Sequence, residues 1–408
     1  MTATGSWTDE ELRRIGEAVE LQLASVGSGG TLRPYVTMWV VRVGDQLFVR
    51  SAYGPDNPWY RRATAAGAGR VHAGGVEGDV SFADADPDVQ DDIDAAYHAK
   101  YDRYGPRIVG TVVGPDAHRV TVRLVPRAST PRTWLITGVS SGFGHELTRQ
   151  LLEAGERVVG TVRHLDSVAD LADAHPETFH PELLNVTDTP AIRTVVDRGF
   201  DRLGRIDVVV SNAGYGLFGA AEELTDAQIN HIIATNLTGS IQLIRATLPH
   251  LRRQGGGRIL QVSTYGGQVA FPGSSLYHAT KWGIEGFCES VAQEVAPFGI
   301  GVTLVEPGGA RTGFRYGSAQ IADLSPVYAD TPAHGFLAML DPANGLAPGD
   351  PARMAAAMIA SLDQDRAPLR IMLGSQALAT TLGVLKQRIA DLEAQTDLAA
   401  STDFPPGE

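Results

Sequence analysis

One succession narrows the possible folds of this chain more than any other. Thr133-Trp-Leu-Ile-Thr137 runs directly into Gly138-Val139-Ser140-Ser141-Gly142-Phe143-Gly144, and Leu147, Leu151 and Leu152 then recur at helical spacing up to Gly155. An apolar strand that passes through closely spaced glycines into an amphipathic helix leaves backbone N–H groups and the positive end of a helix dipole without side chains in front of them. Such a turn admits a pyrophosphate and belongs at the carboxyl edge of a parallel sheet. The glycine spacing is not the ordinary Gly-x-Gly-x-x-Gly, so the order strand, turn, helix carries the assignment.

The same alternation continues. Strand-like runs lie at Arg157–Val162, Glu182–Val186, Ile206–Ser211, Arg258–Val262, Gly301–Glu306 and Leu369–Leu373, with helical patterns between them, one of them long, from about Thr225 to Arg253. Val, Ile and Leu without alternation suit strands buried on both faces, so the expectation is an α/β fold with a doubly wound parallel sheet. A chain of 408 residues exceeds one ordinary core. The breaker Arg127-Ala-Ser-Thr-Pro131 separates a domain at 1–127 from one at 132–408.

The first of these reads as a smaller α+β domain. Thr8-Asp-Glu-Glu11 has a capping-box pattern, with Leu12, Ile15 and Val19 behind it. Strands are expected at Pro34–Val43 and Gln46–Ser51 around a Gly44-Asp45 turn, near Arg70–His72 and Asp79–Phe82, and at Val109–Val113 and Arg119–Leu124. Helices are expected from Asp56-Asn-Pro-Trp59 and over Asp88–Tyr101. Short strands with few helices suggest a small β-barrel with peripheral helices.

A net charge of −13 argues against nucleic acid or an anionic membrane as a partner. The one cysteine, Cys288, excludes an intramolecular disulfide, fits a reducing compartment and falls inside a predicted helix as buried filler. Met1–Glu20 has no apolar core of a secretory signal, and no run of about 18 apolar residues appears. The expectation is a cytoplasmic protein, with no metal site.

Chemistry concentrates at Tyr277-His278-Ala279-Thr280-Lys281. Lys100, Lys281 and Lys386 are the only lysines, so a tyrosine four residues before one of them is not a matter of composition. On a helix the two side chains share a face. A phenol with a pKa near 10 is a poor acid or base at neutral pH, and a cation beside it favours the phenolate, as general acid–base catalysis requires.

With Thr137–Gly144, Asn212-Ala213-Gly214, Asn236, Tyr277 with Lys281, and Pro307-Gly308-Gly309 in this order, residues 132 to about 375 resemble the classical short-chain dehydrogenase/reductase family. The resemblance implies hydride exchange between a nicotinamide and a carbonyl or secondary alcohol, with Tyr277 as the acid–base. Lys281 would hold the nicotinamide ribose and lower the tyrosine pKa. Asn236 would bind a relay water, and Asn212, Ala213 and Gly214 would line the adenine-ribose side. The family's substrate-orienting serine most often lies thirteen residues before the tyrosine, where Thr264 stands. Ser263 lies one earlier and is carried with it. An alternative is a dinucleotide-sensing binding protein without turnover.

An acidic residue would select NAD(H) about 20 positions after the glycine turn. Val162 and then Arg163 stand there, which favours NADP(H), with Ser140 and Ser141 as further donors. In Leu184-Asn185-Val186, Asn185 replaces the family's usual Asp beside the adenine. Gly313 to about Asp350, with Tyr316, Tyr328, Phe336 and Met339, is expected to form a lid over a small apolar carbonyl or alcohol. Leu382–Leu398 reads as one amphipathic helix with a Leu382, Leu385, Ile389, Leu392 stripe, packed on its own domain or on a twin subunit, and Ser401–Glu408 as frayed. A homo-oligomer is the expectation from the family.

Trp7, Thr31-Leu-Arg-Pro34, Trp39-Val-Val-Arg-Val43, Val49-Arg50-Ser51 and Asn57-Pro58-Trp59 make the first domain resemble an uncharacterised family of small bacterial proteins. More remotely it is similar to split barrels that bind FMN or a deazaflavin, which points to Arg50, Ser51, Arg61 and Arg62 as phosphate partners and to a two-cofactor enzyme. The alternative is that these arginines form a solvated rim.

Overall fold

The computed structural model describes residues 5–27, 32–127, 131–341, 343, 345–364 and 366–404. Thr31, the side chains of Tyr316 and Met339, and the last four residues lie outside the described set. The chain divides into two compact units, Met1–Thr130 and Pro131–Glu408.

In the first unit, strands β1 (Leu21–Ser25), β2 (Val36–Met38), β3 (Val40–Val43), β4 (Gln46–Arg50), β5 (Ala68–Ala73), β6 (Val76–Asp84) and β7 (Thr121–Pro126) pair antiparallel in the order β2-β1-β5-β6-β7-β4-β3. The expected strand Pro34–Val43 is interrupted at Trp39. Its two halves pair at opposite ends of the row, and the sheet nearly closes into a barrel. Helix α1 (Asp9–Glu17) starts at the Thr8–Glu11 capping box and buries Leu12 and Ile15 in the barrel core. Helices α2 (Pro58–Ala66) and α3 (Gln90–Tyr101) follow, and Ile93, Tyr97 and Tyr101 of α3 form a second core with Phe48.

Two expectations fail here. β1 was not foreseen, and Val109–Val113 is not a strand. Pro106 and Pro115 each begin a single helical turn, α4 (Pro106–Val109) and α5 (Pro115–His118), after a glycine at positive φ. Each proline lacks the N–H a strand ladder needs and presets a helical φ, so valine content loses to backbone chemistry.

The second unit holds a wholly parallel sheet of β8 (Thr133–Thr137), β9 (Arg157–Val162), β10 (Phe179–Leu183), β11 (Val208–Ser211), β13 (Gly257–Val262), β14 (Ile300–Pro307) and β16 (Arg370–Leu373), in the order β10-β9-β8-β11-β13-β14-β16. Two short strands, β12 (Leu217–Phe218) and β15 (Gln320–Ile321), pair apart from it. Alternation along β8 builds both layers of the α/β fold. Leu135 joins a core with α8 (Thr189–Leu203), α10 (Gly239–Arg253) and α11 (Ser275–Val295). Trp134 and Ile136 join the opposite core with α6 (Gly142–Glu153), α7 (Ala169–Ala174) and α13 (Pro351–Ala360). Cys288 is buried filler in the first of these cores, and burial pushes its thiol up to about 12.

The third strand ends at Leu183, earlier than expected, because Asn185 Oδ1 accepts from Thr187 N and Oγ1 and turns the chain. The long helix from Thr225 is interrupted: α9 (Asp226–Ile232) passes through a π-helical segment, Ile233–Thr238, before α10. After α12 (Pro332–Leu337) and α13, the tail is α14 (Ser375–Glu393) and α15 (Thr396–Ala400) rather than one helix. Leu382, Ile389 and Leu392 of its stripe are exposed, whereas Ala377 and Thr381 of α14 are buried and Arg388 lies over the Trp282 ring. Among the described residues no helix is long and apolar enough to cross a membrane, and no group of three or more His, Cys, Asp or Glu could hold a metal ion.

Candidate active site

The glycine turn sits where β8 ends. Gly138 and Gly142 take φ of 74° and 59°, a left-handed backbone that other residues adopt at a cost. At Gly144 a Cβ would collide with the Gly138 carbonyl oxygen and the Asn212 amide, so only glycine lets α6 start this close to the strand. Asn212 Nδ2 donates to the carbonyls of Thr137 (2.9 Å) and Gly138 (3.1 Å). Thr137 Oγ1 accepts from Asn212 N (3.0 Å) and Ala213 N (3.1 Å). The Asn212-Ala213-Gly214 loop is thereby tied to the first strand. Ser141 is the N-cap of α6, yet its side chain makes no capping bond, and Ser140 and Ser141 are exposed. The first turn of a twelve-residue helix thus has no side-chain acceptor of its own.

Arg163 follows the last residue of β9 and is exposed. Asn185 is also exposed, and Val186 packs against a core edge. Pro307 ends β14, and Gly308 N donates to Leu373 O at 2.8 Å.

The π segment is what turns Asn236 inward. It is 1% exposed, Oδ1 accepts from Tyr215 N (3.0 Å), and Nδ2 donates to Tyr215 O (2.8 Å). Its side chain braces the loop after β11.

Tyr277, His278, Lys281 and Glu285 are all buried on α11. The Thr264 side chain is the polar group that acts on the Tyr277 phenol, favouring its ionised form. Thr264 Oγ1 accepts from Gly266 N (3.2 Å) and lies 3.4 Å from the Pro307 carbonyl. Ser263 points elsewhere and donates to Glu285 Oε1 at 2.6 Å. Neighbouring residues leaving an extended strand face opposite sides, so of the two hydroxyls the structure brings Thr264 and not Ser263 to the tyrosine.

Burial raises the Tyr277 phenol well above its ordinary value, with the Thr264 side chain pulling the other way and Tyr265 adding to the rise. Lys281 Nζ donates to Val262 O at 3.0 Å and lies 5.8 Å from the Tyr277 ring centre. Burial lowers its ammonium to about 8, against the attraction of Glu285. Desolvation of the phenolate is thus the largest influence on the phenol. Burial also pushes His278 down to about 4, and its Nδ1 accepts from Phe271 N (3.2 Å), so a neutral imidazole forms part of the wall.

Aromatic rings surround the phenol. Phe218 lies 6.1 Å and Phe314 5.8 Å from Tyr277, and Phe336 stacks on Phe271 at 5.6 Å.

A buried charge network was missed from sequence. Arg370 Nε donates to Glu306 Oε1 (2.8 Å), Nη2 reaches Glu285 (3.3 Å) and also pairs with Glu289, and Gln268 Nε2 donates to Glu306 Oε2 (2.6 Å). Burial, with Glu285 adding to it, raises Glu306 to about 7. The one available signal was Glu285, four residues after Lys281 and so on the buried face.

In the first unit, Arg50 and Ser51 are not free for a phosphate. Arg50 donates to Thr121 Oγ1, Val112 O and Gln90 Oε1, each at 2.8 Å, and pairs with Asp94. Ser51 Oγ donates to Gly54 O (2.7 Å). Arg61 and Arg62 are exposed and line a groove of about 650 Å³ with Arg33 and Asp56.

Residues 132–320 match the short chain dehydrogenase family, and residues 11–124 match an uncharacterized protein family conserved in bacteria. An oxidoreductase of Botryotinia fuckeliana, BOA17, is 36% identical over 248 residues, 60% of this chain and 90% of that one. Human 17-beta-hydroxysteroid dehydrogenase type 1 is 34% identical over 189 residues, 44% of this chain and 57% of that one. A solved short-chain dehydrogenase from Streptomyces avermitilis superposes with a TM-score of 0.63 at 38% identity, covering 68% of this chain and 100% of that one. With its parallel sheet, glycine turn and tyrosine–lysine helix, the chain belongs to the short-chain dehydrogenase family of oxidoreductases.

Proposed function

We propose that the second unit is an NADP(H)-dependent reductase of apolar ketones or aldehydes, equally a dehydrogenase of the corresponding alcohols, with Tyr277 as general acid–base. The observation that carries this reading is the burial of Tyr277 and Lys281 one helical turn apart on α11, with Thr264 also buried at the end of β13. The residues of the turn fit a dinucleotide: two left-handed glycines lead into a helix whose first turn no side chain caps. Gly138, Ser140, Ser141, Gly142, Phe143 and Gly144 would hold the pyrophosphate. Asn185, Val186, Asn212, Ala213 and Gly214 would line the adenosine end. Lys281 would bind the nicotinamide ribose, with Pro307 and Gly308 on the Thr264 side. Arg163, exposed where an acid would exclude a 2′-phosphate, favours NADP(H).

Bound there, NADPH supplies the hydride. Tyr277 Oη keeps its proton at neutral pH because burial outweighs the pull of Thr264, which makes it a donor to a carbonyl oxygen. Thr264 Oγ1 stands beside it and can share that oxygen. Lys281, which loses its proton near pH 8, keeps a positive charge close enough to favour the phenolate once the proton has left. Phe218, Phe314 and Phe336 suit an apolar substrate, and the likeness to a hydroxysteroid dehydrogenase supports a bulky one.

The full chain given NADPH and aryl ketones should consume NADPH, faster than NADH. Tyr277→Phe should lower kcat/KM by about 10³-fold. Retention of the parent rate in that variant removes the reading.

A further inference from the structure

Two stretches of chain meet on one carboxylate that the proposed reaction does not use. Glu223 closes a short turn after β12, and its side chain is 1% exposed. Oε2 accepts from Ala220 N at 2.7 Å, while Oε1 accepts from Ser325 N at 2.6 Å and faces His334 Nε2 at 2.8 Å. A buried carboxylate is tolerated where donors converge on it, and here two of its partners, Ser325 and His334, come from the stretch whose Phe314 and Ala322 cluster with Tyr277 and which forms its cover.

The other contacts of that cover fit the same place. β15 pairs with β12. A Cβ on Gly219 would stand 2.6 Å from Ala322 Cβ, and one on Gly273 would stand 2.5 Å from the Ala333 carbonyl oxygen, so two glycines let the cover's backbone close in. Two residues beyond His334 on α12, Phe336 lies 5.6 Å from Phe271 and 6.3 Å from Phe218, which is itself 6.1 Å from Tyr277.

We propose that Glu223 is a positioning residue for the apolar end of the substrate: by holding Ser325 and His334 it sets where Phe336 stands against Phe271 and against Phe218, the ring next to Tyr277, and so how bulky a group beside the reacting carbonyl is accepted. The substrate half of this proposal rests on the reading of Tyr277 as the acid.

Glu223→Gln replaces one acceptor oxygen with an N–H group and removes the charge. Amide hydrogen exchange of residues 320–337 should speed up by about tenfold or more, with β8, β11 and β13 exchanging as in the parent. For an aryl ketone kcat/KM should fall by about tenfold, mainly through KM, and for butanone several times less. His334→Asn, which removes one partner, should move both readouts the same way by less and serves if Glu223→Gln is not recovered folded. Unchanged exchange over 320–337, or equal losses on the two ketones, overturns the proposal. A parent that reduces neither ketone overturns the carbonyl reading and the substrate half with it, while the exchange result still decides whether Glu223 fastens the cover.

Discussion

Each unit buries a basic side chain, and the two are treated in opposite ways. In the first, Arg50 is surrounded by Asp94, Gln90, Thr121 and the Val112 carbonyl. Burial pushes Asp94 up, but Arg50, His118 and the Gly114 N–H outweigh it and hold the carboxyl below its ordinary value. In the second, Lys281 has one hydrogen bond among the described residues, to the Val262 carbonyl, and its ammonium falls to about 8. A buried charge whose partners are all protein groups holds a fold together. One that the protein leaves under-satisfied is costly for folding and available to a ligand.

Exchanging each cation for methionine should therefore give crossed results. Lys281→Met should lose activity by about 10³-fold yet leave the urea midpoint at or slightly above the parent's, because it removes an ammonium that burial penalises. Arg50→Met should lower stability by about 3 kcal/mol, read from denaturant unfolding, since Asp94 and Gln90 lose their common partner. The contrast collapses if Lys281→Met is the more destabilising of the two.

The carboxylates around Arg370 add a pH signature. Glu306 is raised to about 7, so the folded chain holds its proton more tightly than the unfolded chain. The stability this contributes is fully present below about pH 4.5 and is lost as pH rises through about 7. Urea midpoints of the parent and Glu306→Gln from pH 5 to 8 should differ in slope, the parent losing on the order of 2 kcal/mol more. Parallel profiles would show that Arg370 already compensates the charge.

The smallest expected effect separates two adjacent hydroxyls. Thr264→Val should cost about tenfold in kcat/KM because it removes the hydroxyl that acts on Tyr277, whereas Ser263→Ala should cost a few-fold at most, through Glu285. The reverse order would return the substrate-orienting role to Ser263.

How much could be read beforehand follows from where each determinant lies. The parallel sheet was legible because Trp134, Leu135 and Ile136 are apolar without alternation, a pattern that strands covered on both faces require. Strand ends were less legible: Asn185 and the two prolines at 106 and 115 stopped or replaced elements that side-chain propensity alone would extend. The Tyr277–Lys281 pairing was legible because four residues on a helix place two side chains on one face whatever surrounds them.

By itself the sequence determined the local geometry: the glycine turn, the helix that carries the tyrosine and lysine, the capping box at Thr8, and hence the family. Only the tertiary structure decided that Ser263 turns to Glu285 while Thr264 does not, that Asn236 turns inward on a π-helical segment, that Arg50 is spent on the barrel, and that burial raises the tyrosine. The physical reason is range. Backbone conformation and helical spacing act over a few residues, whereas desolvation and hydrogen-bond pairing depend on partners such as Glu223 with His334, or Arg50 with Asp94, that only folding brings together.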